Sequence, residues 1–201
     1  AVMAGAENLK RQIEIVRSFG QPVIVALNRF AADTENEISA IRDFCAAIDV
    51  AFSISSHFAE GGKGAEDLAR KVMDLAEEKS PPKFGYELTA SLEDKLRAVA
   101  QNIYGAAEIS FSEAARQKLA QLGNIDLPVC IAKTQYSFST DPKAIGAPAG
   151  HTIEFSDIRL SAGAGFVVAV AGNMMTMPGL PRTPSAKDIG VDASGAITGI
   201  N

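Results

Sequence analysis

The sequence predicts an α/β fold in two parts: a parallel-sheet segment over residues 1–82 and a smaller α+β domain over residues 83–201. In the first part, short runs rich in β-branched residues alternate with segments whose apolar residues recur at helical spacing. This pattern is typical of parallel sheets with right-handed crossovers. Residues 80–83 contain two adjacent prolines and interrupt the alternation, so they are the expected boundary.

Local signals define the elements of the first part. Thr34 and Glu37 have the spacing of a capping box, and Gly20 suits the left-handed position that ends a helix. In chain order we predict a helix over residues 6–19, a strand over 22–27, a helix after Thr34, a strand over 50–54, and a helix with Leu68, Val72 and Leu75 facing inward.

The second part begins with two helices, for which Ser91 and Ser112 are the expected N-cap residues. Gly123 ends the second of them. Strands are predicted over residues 127–132, 152–160 and 166–170, so this part is richer in β-structure toward its end.

Composition excludes several function classes. The chain has 201 residues, of which 47% are hydrophobic and 21% are charged, as in ordinary globular proteins. Its 19 basic and 24 acidic residues give a net charge of -5 without a basic block, which argues against a nucleic-acid partner. The apolar runs are too short to span a bilayer, which argues against a membrane partner. Cys45 and Cys130 lie in apolar segments typical of buried, reduced thiols.

The first residues of the chain add two expectations. Residues 1–5 carry no basic residue and no long apolar run, so they do not resemble a secretion signal, and we expect a cytoplasmic protein. The sequence opens directly into a helical pattern without an initiator methionine, so we expect a piece of a longer protein.

Aromatic residues follow both strands of the predicted parallel sheet. Phe30 comes shortly after the first strand, and Phe58 comes shortly after the second, just ahead of Gly61 and Gly62. Ligands of open parallel sheets bind beyond the carboxyl ends of the strands. Two interpretations are open: the rings cover the edge of the sheet, or they form a clamp for a flat ring, since stacking on an aromatic face is favourable.

Other chemistries lack their residue patterns. Residues 61–64 do not have the spacing of a phosphate-binding P-loop, so a tight strand-to-helix turn is expected, whose backbone amides at Gly64 would suit an anion. His57 and His151 are far apart in the sequence and have no cysteine or carboxylate cluster at ligand spacing, so no metal site is expected. We predict no catalytic residue in this chain, since neither cysteine has a local catalytic signature.

Five segments together resemble one family, the formate–tetrahydrofolate ligases. They are residues 23–35, 59–62, 132–139, 159–166 and 175–181. Their order is the order of the family, and residues 196–201 are similar to the family's C-terminus. The resemblance covers nearly the whole chain, which corresponds to roughly the C-terminal third of the family's proteins.

The resemblance implies an ATP-dependent ligase of one-carbon metabolism. ATP, with Mg²⁺, phosphorylates formate, and the formyl group then passes to N10 of tetrahydrofolate. The implied first part is a P-loop-NTPase-like segment that lacks its P-loop, so this chain is expected to be inactive without the missing N-terminal portion. The resemblance also implies a homo-oligomer with small-molecule substrates.

The family's ring-stacking positions fall on Phe30 and Phe58, which are expected to stack on folate or on adenine. The loops that support them contain Asn28, Arg29, Gly61 and Gly62. This sequence departs from the family at two positions: Phe58 stands where tryptophan is usual, and Ala31 stands where proline is usual. Phenylalanine keeps an aromatic face but offers a smaller one.

Two alternatives from other classes remain open. Asn28 and Arg29 at the end of a strand also resemble the base-recognition half of a P-loop GTPase, although Ala31 stands where a guanine-reading aspartate would be expected. The other alternative is a non-catalytic scaffold or oligomerisation module. A preference for guanine would favour the GTPase, and a lack of folate and nucleotide binding would favour the scaffold.

Overall fold

The computed structural model describes residues 2–78, 80–172, 174 and 182–199. Within these residues, helices and strands alternate and the sheets contain parallel strand pairs, so the prediction of a mixed α/β fold is confirmed. Residues 175–181, one of the segments that carry the family resemblance, lie outside the described residues.

The first part contains two strands among four helices. In chain order these are α1 (Val2–Ser18), β1 (Ile24–Asn28), α2 (Glu35–Ala47), β2 (Ala51–Ser55), the short α3 (His57–Glu60), a 3-10 turn (Gly61–Ala65) and α4 (Glu66–Ala76). The capping box is present, since the Thr34 hydroxyl accepts from the Glu37 N–H and the Glu37 carboxylate accepts from the Thr34 N–H. Gly20 has a φ of +74°, the left-handed conformation expected for the end of a helix.

The second part contains two longer helices and a four-stranded sheet. Its elements are α5 (Leu92–Asn102), β3 (Glu108–Phe111), α6 (Glu113–Leu122), β4 (Val129–Ala132), β5 (Thr152–Ser161) and β6 (Phe166–Ala171), followed by a 3-10 turn (Ser185–Lys187) and a small hairpin of β7 (Gly190–Val191) and β8 (Ile197–Thr198). Ser91 and Ser112 cap α5 and α6 as predicted.

The first sheet consists of β1 and β2, which run parallel with Asn28 opposite Ser55. Helices α1 and α2 pack on it around the buried residues Ile13, Cys45 and Val50. Helix α4 lies against β2 but contributes no buried residue.

The second sheet has the strand order β3-β5-β6-β4. Its outer strands pair parallel to their neighbours, whereas β5 and β6 pair antiparallel, with a register shift between Phe155 and Asp157. Helices α5 and α6 cover one face, and the core between them and the sheet contains Leu96, Ala115, Phe155 and Val167. This core is larger than that of the first part.

Three details differ from the sequence-based expectations. Val72 is exposed rather than inward, because α4 covers β2 with only part of its apolar face. Cys130 is exposed, because side chains alternate along edge strand β4 and its neighbour Ile131 points into the core. Strand β3 was not anticipated, since its four residues Glu108–Phe111 mix polar and apolar types.

The proline-containing segment runs back along the end of α1. The Lys83 N–H donates to the Phe19 carbonyl at 2.9 Å, and the Ser80 hydroxyl donates to the Gly20 carbonyl. A division of the chain into domains at residues 82 and 83 stays a prediction. Among the described helices, none combines the length and the apolar character needed to cross a membrane.

Candidate functional site

The carboxyl ends of β1 and β2 meet at one edge of the first sheet. Asn28 and Ser55 are register partners, and the Arg29 N–H extends the ladder by donating to the Ser55 carbonyl at 2.9 Å. The loops that carry Phe30 and Phe58 therefore begin side by side, at the carboxyl ends of adjacent strands. We name this edge and its two loops the aromatic edge.

The Phe30 loop is a closed turn held by its own polar groups. The Phe30 N–H donates to the Asp33 carboxylate at 2.8 Å, and the Asp33 N–H donates back to the Phe30 carbonyl at 3.1 Å. Arg29 forms an ion pair with Glu35 at 2.7 Å. The Phe30 backbone is thus fixed while its ring is 57% exposed.

Phe58 lies in the four-residue helix α3, directly after β2. The Ser55 hydroxyl and the His57 Nδ1 atom lie 2.9 Å apart, and the Ser56 hydroxyl donates to the Glu60 carboxylate at 2.9 Å. The Phe58 ring is 84% exposed, so it contributes little to packing within this chain. Both rings are therefore presented on the surface of the aromatic edge.

The glycine-rich turn after α3 depends on Gly64 more than on its neighbours. The Gly64 carbonyl accepts from the Ser56 N–H at 2.9 Å, and a Cβ atom at Gly64 would lie 2.6 Å from the Ser56 carbonyl carbon. Gly61 has a φ of +60°, whereas a Cβ atom at Gly62 would meet nothing within 4 Å. The close approach at Gly64 holds the turn against the loop that carries Phe58.

The anion contact considered from the sequence at this turn stays a prediction. Helix α4 begins at Glu66, and its first turn carries the carboxylates of Glu66 and Asp67. An anion at this helix N-terminus would lie near these two negative side chains, which oppose the attraction of the helix dipole. The expected strand-to-helix turn is present, with a 3-10 geometry.

A hydrogen-bonded group that sequence reasoning missed fastens α4 to β2. The Asp67 carboxylate accepts from the Ser53 hydroxyl at 2.6 Å and from the Lys71 ammonium at 2.8 Å, and Lys71 also donates to the Phe52 carbonyl. The hydrogen bond from Lys71, and then that from Ser53, lower the pKa of Asp67 below its ordinary value. The i,i+4 spacing of Asp67 and Lys71 was the available sequence signal.

Outside the aromatic edge, the described residues form a large cavity but no group of metal ligands. Within the described part of the chain, no three His, Cys, Asp or Glu side chains come together as a group that could hold a metal ion. A cavity of about 990 Å³ lies elsewhere, between α1, α5 and residues 84–88, and neither Phe30 nor Phe58 lines it. Its walls are mainly apolar, and none of the site residues expected from the sequence lines it, so we place no chemistry there.

The polar segment after β4 forms a second structured loop. Lys133 is buried, and its ammonium group donates to backbone carbonyls of residues 134–139. The Ser137 hydroxyl lies 2.9 Å from the Ser139 hydroxyl and donates to the Ala144 carbonyl. The density of polar residues over 133–142 thus reflects a loop that is internally hydrogen-bonded.

Comparisons with known proteins agree on one family. The family model described as formate–tetrahydrofolate ligase matches residues 1–201. The chain is 53% identical over 206 residues to the formate–tetrahydrofolate ligase of Methylobacterium sp. (strain 4-46), and 50% identical over 203 residues to that of Paracoccus denitrificans (strain Pd 1222). Each alignment covers 100% of this chain and 37% of the relative, so the chain spans little more than a third of the relatives' length. Because the match extends over every residue and half of the aligned positions are identical, the chain belongs to the formate–tetrahydrofolate ligase family.

Proposed function

We propose that this chain forms the ring-binding wall of an ATP-dependent ligase that activates formate as formyl phosphate and transfers the formyl group to N10 of tetrahydrofolate. Membership of the family supports the reaction class. The observation that carries the role of this chain is the aromatic edge, where two exposed rings follow register-paired strand ends of a parallel sheet.

In this proposal Phe30 and Phe58 stack on the pterin ring of the folate, with adenine as the less favoured occupant. Stacking of a flat heterocycle on an aromatic side chain contributes about 1–3 kcal/mol per ring. The turn between Phe30 and Asp33 fixes one ring, and the Arg29–Glu35 ion pair borders it. Gly61, Gly62 and the close approach at Gly64 shape the other loop. Asn28 ends β1 at the base of the clamp.

ATP enters the proposal as a substrate, together with Mg²⁺. We assign Mg²⁺ no ligand among the described residues, because they contain no group of carboxylates or histidines that could hold it. We propose that the rest of the family's polypeptide supplies phosphate binding, that the enzyme is a homo-oligomer, and that it acts in the cytoplasm. The relatives described above are ligases, so they give no support to the GTPase or scaffold alternatives.

A binding experiment tests the role of the two rings. Tetrahydrofolate is titrated into the chain by calorimetry under reducing conditions, with thermal melts of the same samples. Phe30→Ala and Phe58→Ala are each expected to weaken binding about 5- to 150-fold, the equivalent of roughly 1–3 kcal/mol. Phe58→Trp is expected to tighten binding, because indole offers a larger face.

Phe84 provides the matched control, since its ring is also exposed but lies in a different loop, at the wall of the large cavity. Phe84→Ala is expected to leave tetrahydrofolate binding unchanged. If Phe30→Ala and Phe58→Ala bind the folate as tightly as the parent chain does, the rings are not a clamp.

The activity of the chain itself is tested separately. The sequence contains no glycine-rich phosphate cradle followed by lysine and a hydroxyl residue, and phosphoryl transfer depends on such positioning and charge stabilisation. The 201-residue chain is therefore expected to release no ADP in response to formate and tetrahydrofolate. ADP release above a protein-free control would contradict this.

A further inference from the structure

A polar pocket lies beside the polar segment that follows β4. Its volume is about 280 Å³, and its walls come from the middle of α1, from Tyr104 after α5, and from residues 131–138. Unlike the large cavity, it is lined mainly by polar groups. We name it the Lys133 pocket.

Lys133 is a buried cation at this pocket, with only 9% of its surface exposed. Its Nζ atom donates to the carbonyls of Thr134 and Ser139, both at 3.1 Å, and to that of Ser137. It also lies 4.6 Å from the centroid of the Tyr104 ring. Burial lowers the pKa of Lys133 from its ordinary value, whereas the three carbonyl acceptors and the Tyr104 ring favour the protonated amine.

The charge of Lys133 has no carboxylate partner within 4 Å among the described residues, where ion pairs occur at other lysines and arginines. His151 does not add to the charge, because burial, and secondarily the charge of Lys133, lowers its pKa. Within 4 Å only carbonyl groups therefore offset the buried ammonium, so an anion in the pocket would meet a nearby positive charge.

The other pocket walls supply hydrogen-bond donors without acidic groups. Gln12, Tyr104 and Tyr136 line the pocket, and each of their side chains carries a hydrogen-bond donor. No aspartate or glutamate lines it. A cavity with a buried cation, hydroxyl and carboxamide donors and no carboxylate is complementary to an anion.

We propose that the Lys133 pocket binds a small carboxylate, whose charge is balanced by the Lys133 ammonium and whose oxygens accept from the tyrosine hydroxyls and the Gln12 amide. The three donors of Lys133 already have carbonyl partners, so its attraction for the ligand is electrostatic. The site does not depend on the aromatic edge or on the proposed function.

Calorimetric titration of the 201-residue chain with glutarate tests this assignment. Binding of glutarate is expected, whereas glutaramide, which has the same carbon skeleton without charge, is expected not to bind. Lys133→Met is expected to weaken glutarate binding at least tenfold. Lys187→Met is the matched control, because Lys187 is an exposed lysine outside the pocket.

Two further variants keep the test decisive if Lys133→Met fails to fold. Gln12 and Tyr136 are exposed, so Gln12→Leu and Tyr136→Phe remove a donor from the pocket without disturbing the core. Each is expected to weaken glutarate binding severalfold with an unchanged melting temperature. Absence of glutarate binding to the parent chain, equal binding of glutaramide, or glutarate binding that is unaffected by all of these pocket variants would overturn the proposal.

Discussion

The close approach of Gly64 to the Ser56 backbone gives a prediction that can be worked out from distances. A Cβ atom at position 64 would lie 2.6 Å from the Ser56 carbonyl carbon, 2.7 Å from its oxygen and 2.8 Å from the His57 nitrogen. All three are backbone atoms, so no side chain can rotate away to relieve the overlap. Gly64→Ala therefore has to push the turn away from the loop that carries Phe58.

The expected cost has two parts. Overpacking of this kind destabilises by about 1–3 kcal/mol, and the hydrogen bond from the Ser56 N–H to the Gly64 carbonyl adds about 0.5–1.5 kcal/mol when it is lost. We expect Gly64→Ala to lower the free energy of unfolding by roughly 2–4 kcal/mol. For a chain of this length each kcal/mol corresponds to a fall in Tm of roughly 2–4 °C.

Gly62 is the matched control because it lies in the same turn and a Cβ atom there would meet nothing within 4 Å. Gly62→Ala is expected to change stability by no more than about 1 kcal/mol, in either direction. Urea denaturation followed by far-ultraviolet circular dichroism measures both variants. Equal stability of Gly64→Ala and Gly62→Ala would refute the close-approach argument.

Two further predictions concern the cysteines and an acidic residue. In the native chain, Ellman's reagent is expected to modify the exposed Cys130 thiol rapidly but to reach Cys45 only after unfolding. The reason is that Cys45 is buried and that burial raises its pKa. Fast modification of both thiols would contradict this. Hydrogen bonds from Lys118 and then Arg159 hold the pKa of Asp157 below its ordinary value of 3.8. The pKa of Asp157 is lower in the folded chain than in the unfolded chain. The ionised carboxylate therefore stabilises the fold fully at a pH above the ordinary pKa, and this stabilisation is lost as the pH falls through the pKa of the folded chain. Asp157→Asn is therefore expected to flatten the acid side of the stability–pH curve, and an unchanged curve would refute the role of this carboxylate.

Much of the fold was predictable because its signals are local. The Thr34 capping box, the serine caps of α5 and α6 and the glycine helix ends each depend on a few neighbouring residues, and all of them are present. Strand β3 was missed because its pairing partner, β5, lies more than forty residues further along the chain.

Only those features of the candidate site that follow from the order of strands and loops along the chain were predictable. Phe30 and Phe58 follow strands that were expected to be parallel, so their common edge could be inferred before the register was known. The sequence could not distinguish Gly64 from Gly62, because the difference lies in the distance to the Ser56 backbone. The burial of Lys133 was equally hidden, since its carbonyl partners come from the conformation of its own loop.

The pairing of β1 with β2 alone has a consequence for handling the chain in solution. In the described residues this sheet has two strands, so each strand has an outer side with N–H and C=O groups that no third strand satisfies. Parallel pairs of this kind are usually enclosed by further strands, and an unprotected edge is a template for adding another segment of extended chain. We therefore expect the purified chain to self-associate through the outer sides of β1 and β2, and more so at higher protein concentration.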